Sequence, residues 1–230
     1  MWNRKELKSK GKAAFKANYW RSVLAAIILG IVAGGAGAST VKTTTNESSS
    51  LQSSLDGLNS QQMIALVLIV LSVAAFALLV SAILKIFVLS PLEVGGRRFF
   101  RENSEQPAKL GEFGYGFKNR YGHVVLTMFL RNLFIGLWSL LFVIPGIVKT
   151  YSYRMVPYIL ADNPNMKATE AITLSRQMMK GYKWKTFVLD LSFIGWILLT
   201  VITCGIVGIF YVSPYMYATD AEIYNALKNA

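Results

Sequence analysis

The chain has 230 residues, 53% of them hydrophobic and only 16% charged, with a formal net charge of +12. That charge could suit nucleic acid, but the cations flank apolar runs and form no soluble basic domain; they point instead to positive-inside signals and anionic lipid head groups. The lone cysteine, Cys204, excludes an internal disulfide and a cysteine-built metal cluster.

Residues 22–41, 63–84 and 191–219 contain no Asp, Glu, Lys or Arg. A bilayer core needs about 20 apolar residues per helix, and backbone in lipid must satisfy its own polar groups. The runs therefore read as membrane helices; the alternation of a β-barrel is absent.

In chain order, Arg4, Lys8, Lys12 and Lys16 recur every four residues and stack along one side of a helix, as on an anionic membrane surface. The basic start, the apolar 23–33 and Ala36-Gly37-Ala38 together resemble a cleaved signal peptide. The repeat described below argues for retention. A first span covers about 22–38, where Gly30 and Gly34 would let another helix approach closely. Residues 39–62, rich in Ser and Thr, form a solvated outer loop before a second span at 63–84.

Lys85 follows, then Gly95-Gly96-Arg97-Arg98, whose arginines could hold a lipid phosphate or form a positive-inside cluster. Leu110, Phe113, Phe117 and Tyr121 have the spacing of an amphipathic helix. So do Ala168, Ala171, Ile172, Ser175, Met178 and Tyr182, with Gly181 suited to a helix end. Four further spans are expected at 123–143, 146–162, 187–203 and 206–224.

A threefold repeat orders these elements. Phe15-Lys16-Ala17-Asn18-Tyr19-Trp20-Arg21 aligns without gaps with Phe117-Lys118-Asn119-Arg120-Tyr121-Gly122-His123 and with Met179-Lys180-Gly181-Tyr182-Lys183-Trp184-Lys185. Each opens an apolar stretch. Later in each unit an aromatic precedes a proline by four residues: Phe87 and Pro91, Tyr153 and Pro157, Phe210 and Pro214. Proline removes a backbone donor and kinks a helix.

The expectation is an all-α polytopic membrane protein: six spans as three helical hairpins, each led in by a basic amphipathic cytoplasmic helix. It forms a single membrane domain, 1–230, divided into 1–21, 22–92 with the outer loop 39–62, 93–162 and 163–230. Four spans would leave the basic segment 149–185 outside, against the positive-inside rule; six return it and both termini to the cytoplasm.

Ionisable residues at membrane depth are costly. Lys85, Arg97, Arg98 and Arg154 are candidate contacts for lipid or its head group. Arg131 and Asp190, at similar depth on neighbouring spans, are expected to form a buried ion pair. His123 marks the interface; no ligand set for a metal accompanies it, and no nucleophile–base or phosphate-loop motif is present.

Ser90-Pro91-Leu92-Glu93-Val94-Gly95-Gly96-Arg97-Arg98-Phe99-Phe100, Tyr153-Arg154-Met155-Val156-Pro157-Tyr158 and Glu170-Ala171-Ile172 with Met179-Lys180-Gly181 resemble a bacterial integral membrane family known as domain-of-unknown-function 975. The resemblance covers nearly the whole chain and implies a bacterial plasma membrane. More loosely, 175–184 resembles the membrane domain attached to some glycerophosphodiester phosphodiesterases, without their catalytic domain. The expected function is non-catalytic handling or organisation of lipids, with anionic membrane lipid as partner and no cofactor. The alternatives are a small-solute or ion transporter and an accessory subunit of a larger complex.

Overall fold

The computed structural model describes residues 2–32 and 59–229, and every regular element among them is helical. Most of the expected outer loop, together with Gly34, lies outside the described residues.

Helix α1 (Arg4–Ala17) breaks at Asn18, and α2 (Tyr19–Val32) leaves it at 107°. The other two aligned lead-ins break at the matching place. A one-turn helix α5 (Tyr115–Lys118) precedes α6 (Tyr121–Leu141), with Arg120 at φ 47° between them. Helix α9 (Ala168–Met178) precedes α10 (Lys183–Leu191), with Gly181 at φ 81°, a value glycine adopts at little cost.

Asn59 opens the second apolar run. Its side chain accepts from the Gln62 N–H at 2.9 Å, while Gln62 Oε1 accepts from the Asn59 N–H at 3.0 Å. This reciprocal cap starts the helix inside the stretch expected as loop. Helix α3 (Ser60–Leu84) then continues through a π-helical turn, Lys85–Leu89, into α4 (Ser90–Asn103) without interruption. The two halves differ completely. α3 buries no residue, whereas α4 buries eight and is the centre of the fold. A Cβ on Gly95 would collide with the Phe113 backbone, so that glycine sets how closely the 3-10 turn Leu110–Gly114 docks on α4.

The expected continuous amphipathic helix over 110–121 is thus two short pieces, although Phe113 is buried as its spacing implied. The stripe on α9 is as expected, with Ala168, Ala171, Ile172 and Ser175 buried. Gly30 has no close helix neighbour among the described residues.

The second unit folds back at Phe142, an extended residue with φ −155°, and α7 (Val143–Ser152) returns along α6 with Gly146 against Ser139. Pro145 sits in the first turn of α7, where its missing N–H costs nothing. Three residues then break the helix before α8 (Val156–Asp162), which is buried from Val156 to Ala161. In the third unit α11 (Ile194–Ile202) ends in a turn with Cys204 and Gly205 at φ 49° and 90°. The chain returns through a π-helical turn, Gly208–Val212, into α12 (Ser213–Lys228).

Among the described residues three helical stretches are long and apolar enough to cross a membrane: Ser60–Asn103, Tyr121–Leu141 and Lys183–Ile202; the bent pair α1–α2 would make a fourth. The stretches expected as the fourth and sixth spans are helical but interrupted, and the interruption has one cause. Each aligned proline follows a defect: a π-turn before Pro91, a three-residue break before Pro157 and a π-turn before Pro214. Proline removes the N–H that would bond the carbonyl four residues back, here that of Phe87, Tyr153 and Phe210. Side chains of α6 take two of these. Tyr121 donates its hydroxyl to the Phe87 carbonyl at 2.6 Å, and Arg131 Nε donates to that of Tyr153 at 3.2 Å.

Helix α1 does not present its four-residue cationic stripe wholly outward. Leu7, Gly11 and Phe15 are buried against α12. Arg4, Lys12 and Lys16 remain exposed, but Lys8 is drawn in, 3.2 Å from Ser192 Oγ and 4.2 Å from the Phe193 ring centre. Burial, with repulsion from Arg4, pulls its pKa below the ordinary lysine range.

Candidate functional site

The polar centre of the molecule is an ionic network built on one face of α4. Glu93 and Arg97 lie one turn apart there. Arg97 Nη1 is 3.1 Å from Asp220 Oδ2 on α12 and 3.5 Å from the Tyr158 hydroxyl on α8. Its guanidinium also lies over the Tyr217 ring, 5.0 Å from the centre. Asp220 accepts a second arginine through its other oxygen, Arg154 Nη2 at 2.5 Å. Arg154 in turn forks onto Asp190 of α10, at 2.6 and 3.0 Å, and Tyr151 donates to the same carboxylate at 2.9 Å. Arg131 Nη1 closes the far side on Glu93 at 3.4 Å.

Three arginines and three carboxylates therefore share one connected cluster. The break before Pro157 makes this possible. Arg154 sits within it, off the helical track, where it can reach α10 and α12 together. Bidentate arginine–carboxylate pairs are the geometry that offsets the desolvation of buried charge.

The expected Arg131–Asp190 pair does not form. Similar depth along two helices does not fix the direction each side chain takes around its axis. Arg131 turns to α4 and the Tyr153 carbonyl, while Asp190 turns to the α7–α8 break. Of the four residues expected to touch lipid, Arg97 and Arg154 are consumed in this network. Arg98 is consumed next to it, 2.7 Å from Glu112, 2.6 Å from Glu102 and 2.8 Å from the Ala161 carbonyl, with its guanidinium over Tyr115. Only Lys85 is exposed, at the end of α3, without a carboxylate partner among the described residues.

A second cluster lies one turn beyond. Asp162 is 2.9 Å from Arg101 Nε and 2.6 Å from Lys228 Nζ, and accepts from the Tyr224 hydroxyl at 2.8 Å. His123 is half-buried, and among the described residues no group of His, Cys, Asp or Glu could hold a metal. Glu93 and Asp220 complete the network without being among the site residues expected from the sequence. The repeat held the missing signal, since Arg97 and Asp220 occupy the same place relative to Pro91 and Pro214.

Among the described residues these features define a helical protein with three to four elements suited to a bilayer and a charge-balanced polar core. Residues 18–230 match the family model described as protein of unknown function (DUF975), and the chain belongs to that family. Neither the curated proteins nor the solved structures give a match, so the looser likeness to the phosphodiesterase membrane domain gains no support.

Proposed function

We propose that the chain is a non-catalytic, multi-pass protein of a bacterial plasma membrane that organises lipid around it, with six spans and both termini cytoplasmic. One contrast carries the reading. The ionisable side chains of the interior are spent on each other, three arginines against three carboxylates, while the surface turned outward is apolar. A permeation path for a polar solute needs groups that can exchange partners with that solute. Here each is held by one or two opposite charges. The outward face offers α3, apolar on every side and with no residue buried among the described ones, which is what acyl chains can cover.

The same helix favours a second reading, an accessory subunit, because a long apolar helix that none of the described residues buries is free to meet another protein. One experiment separates the readings. The full-length protein is extracted from its own membrane in mild detergent and weighed intact by native mass spectrometry, and a parallel sample is reconstituted for solute and ion flux. Retained phospholipid without flux is the expected result. Gradient-driven uptake would replace it with the transporter, and a stoichiometric protein partner with the accessory subunit.

A further inference from the structure

A groove of about 710 Å³ lies between the start of α1 and the start of α10, away from the ionic network. It is lined by Trp2 and Asn3, which lead into α1, by Arg4 and Lys5 of the first turn of that helix, and by Trp184, Lys185 and Val188 of α10. No carboxylate lines it. Arg4, Lys5 and Lys185 form no ion pair among the described residues, and the nearest acid along α1, Glu6, is turned to Lys10 at 2.7 Å. The first turn of α10, whose residues line the groove, has no side-chain cap and is the positive end of that helix.

The aromatics locate this groove relative to a bilayer. Trp184 is 72% exposed on the opening turn of the candidate span Lys183–Ile202, and its repeat counterpart Trp20 is 69% exposed on the opening turn of α2. Exposed tryptophans at the start of an apolar helix suit the head-group level. Trp2 stacks on Tyr182 at 5.9 Å, and Lys185 Nζ lies 5.5 Å from the same ring, which fixes the two helix starts side by side. Val188, one turn deeper, carries the groove from cations into the apolar surface.

We infer that this groove holds the head group of an anionic phospholipid, its phosphate among Arg4, Lys5 and Lys185 and its acyl chains along Val188 and the outer face of α11. Charge complementarity and the passage from cationic to apolar lining select that occupant. The inference rests on the lipid-organising reading above and gives it a lipid class and an address.

The test titrates the purified full-length protein with phosphatidylglycerol or phosphatidylcholine in detergent and counts bound lipid by native mass spectrometry. The wild type should retain phosphatidylglycerol in preference to phosphatidylcholine. Each cation near an anionic head group is worth about fivefold in affinity. The triple variant Arg4→Gln/Lys5→Gln/Lys185→Gln should therefore bind phosphatidylglycerol on the order of a hundredfold more weakly. The variant Lys12→Gln/Lys16→Gln/Lys118→Gln removes equal charge from exposed positions elsewhere and should bind like the wild type. Lys185→Gln alone, the gentlest change, should lose about fivefold. Unchanged binding by the groove variants, or equal loss in the control, overturns the site while leaving lipid organisation standing. If the wild type itself retains no phospholipid, both fall together.

Discussion

Arg97 and Asp220 each stand six residues beyond an aligned proline, Pro91 and Pro214, and they bond to each other, Nη1 to Oδ2, at 3.1 Å. The two positions are equivalent in the repeat yet carry opposite charges, so the ion pair joins the helix that follows the first proline to the helix that follows the third. Asp220 also holds Arg154, three residues before the second proline, which makes this one carboxylate the meeting point of the segments around all three prolines. Asp220→Asn should be the most damaging single change in the network, because it leaves two buried arginines short of charge. A loss of about 3–5 kcal/mol is expected, read as a fall in thermal stability in detergent.

Arg154 and Asp190 allow a cleaner cycle. Arg154→Met strands Asp190 in the interior, and Asp190→Leu leaves Arg154 with Asp220 alone. The double change should cost less than the sum of the singles, since a lone buried charge keeps its desolvation cost. Additive losses would show that the two do not interact.

Tyr121 tests the account of the prolines. Its hydroxyl takes the carbonyl that Pro91 strands, four residues back at Phe87. Tyr121→Phe should lower stability by about 1 kcal/mol. The further change Pro91→Ala should restore most of that, because the π-turn can then close as ordinary helix. If Pro91→Ala in the Tyr121→Phe background gives no recovery, the hydroxyl serves another purpose.

Topology is checked by thiol labelling. Cys204 is exposed in the turn after α11, and an impermeant maleimide should modify it in intact cells. A cysteine replacing the exposed Gln177 on α9, in a Cys204→Ala background, should react only once the cells are opened. Labelling of Gln177→Cys from outside would reverse the orientation of the second and third units.

Gly95 offers a packing test free of charge effects. A methyl there meets the Phe113 backbone, which cannot swing aside as a side chain would. Gly95→Ala should cost about 1–3 kcal/mol by forcing the 3-10 turn off α4. Gly136→Ala on α6 meets nothing within 4 Å and should be neutral or slightly stabilising.

Much of this architecture was readable because it is one-dimensional. Charge-free runs mark the long apolar helices. The prolines mark where the three helix defects fall, and Gly181 marks a helix end. What could not be read is rotational. Nothing local tells Arg131 to face Glu93 instead of Asp190, because that depends on how α6, α4 and α10 are turned against one another. Gly95 and Gly96 looked like part of a phosphate-binding stretch for the same reason. Their purpose shows only once Phe113 and Leu29 lie against them. Nor does composition distinguish α3, apolar and bare, from α8, apolar and wholly enclosed; each reads as a hydrophobic segment until its neighbours are known.

The bareness of α3 has a consequence for how information is distributed along the chain. In α4 nearly every position has an address: Gly95 must be small, Arg97 must reach Asp220, and Phe99 must fit against Phe113. In α3 no side chain is buried against the described residues, so its 25 residues encode chiefly a length and a polarity. For the isolated protomer the order of Ile, Leu, Val and Ala within that helix is interchangeable. A shuffled α3 should leave the folded core as stable as before. Any loss from shuffling would then measure what a neighbouring molecule reads from that sequence.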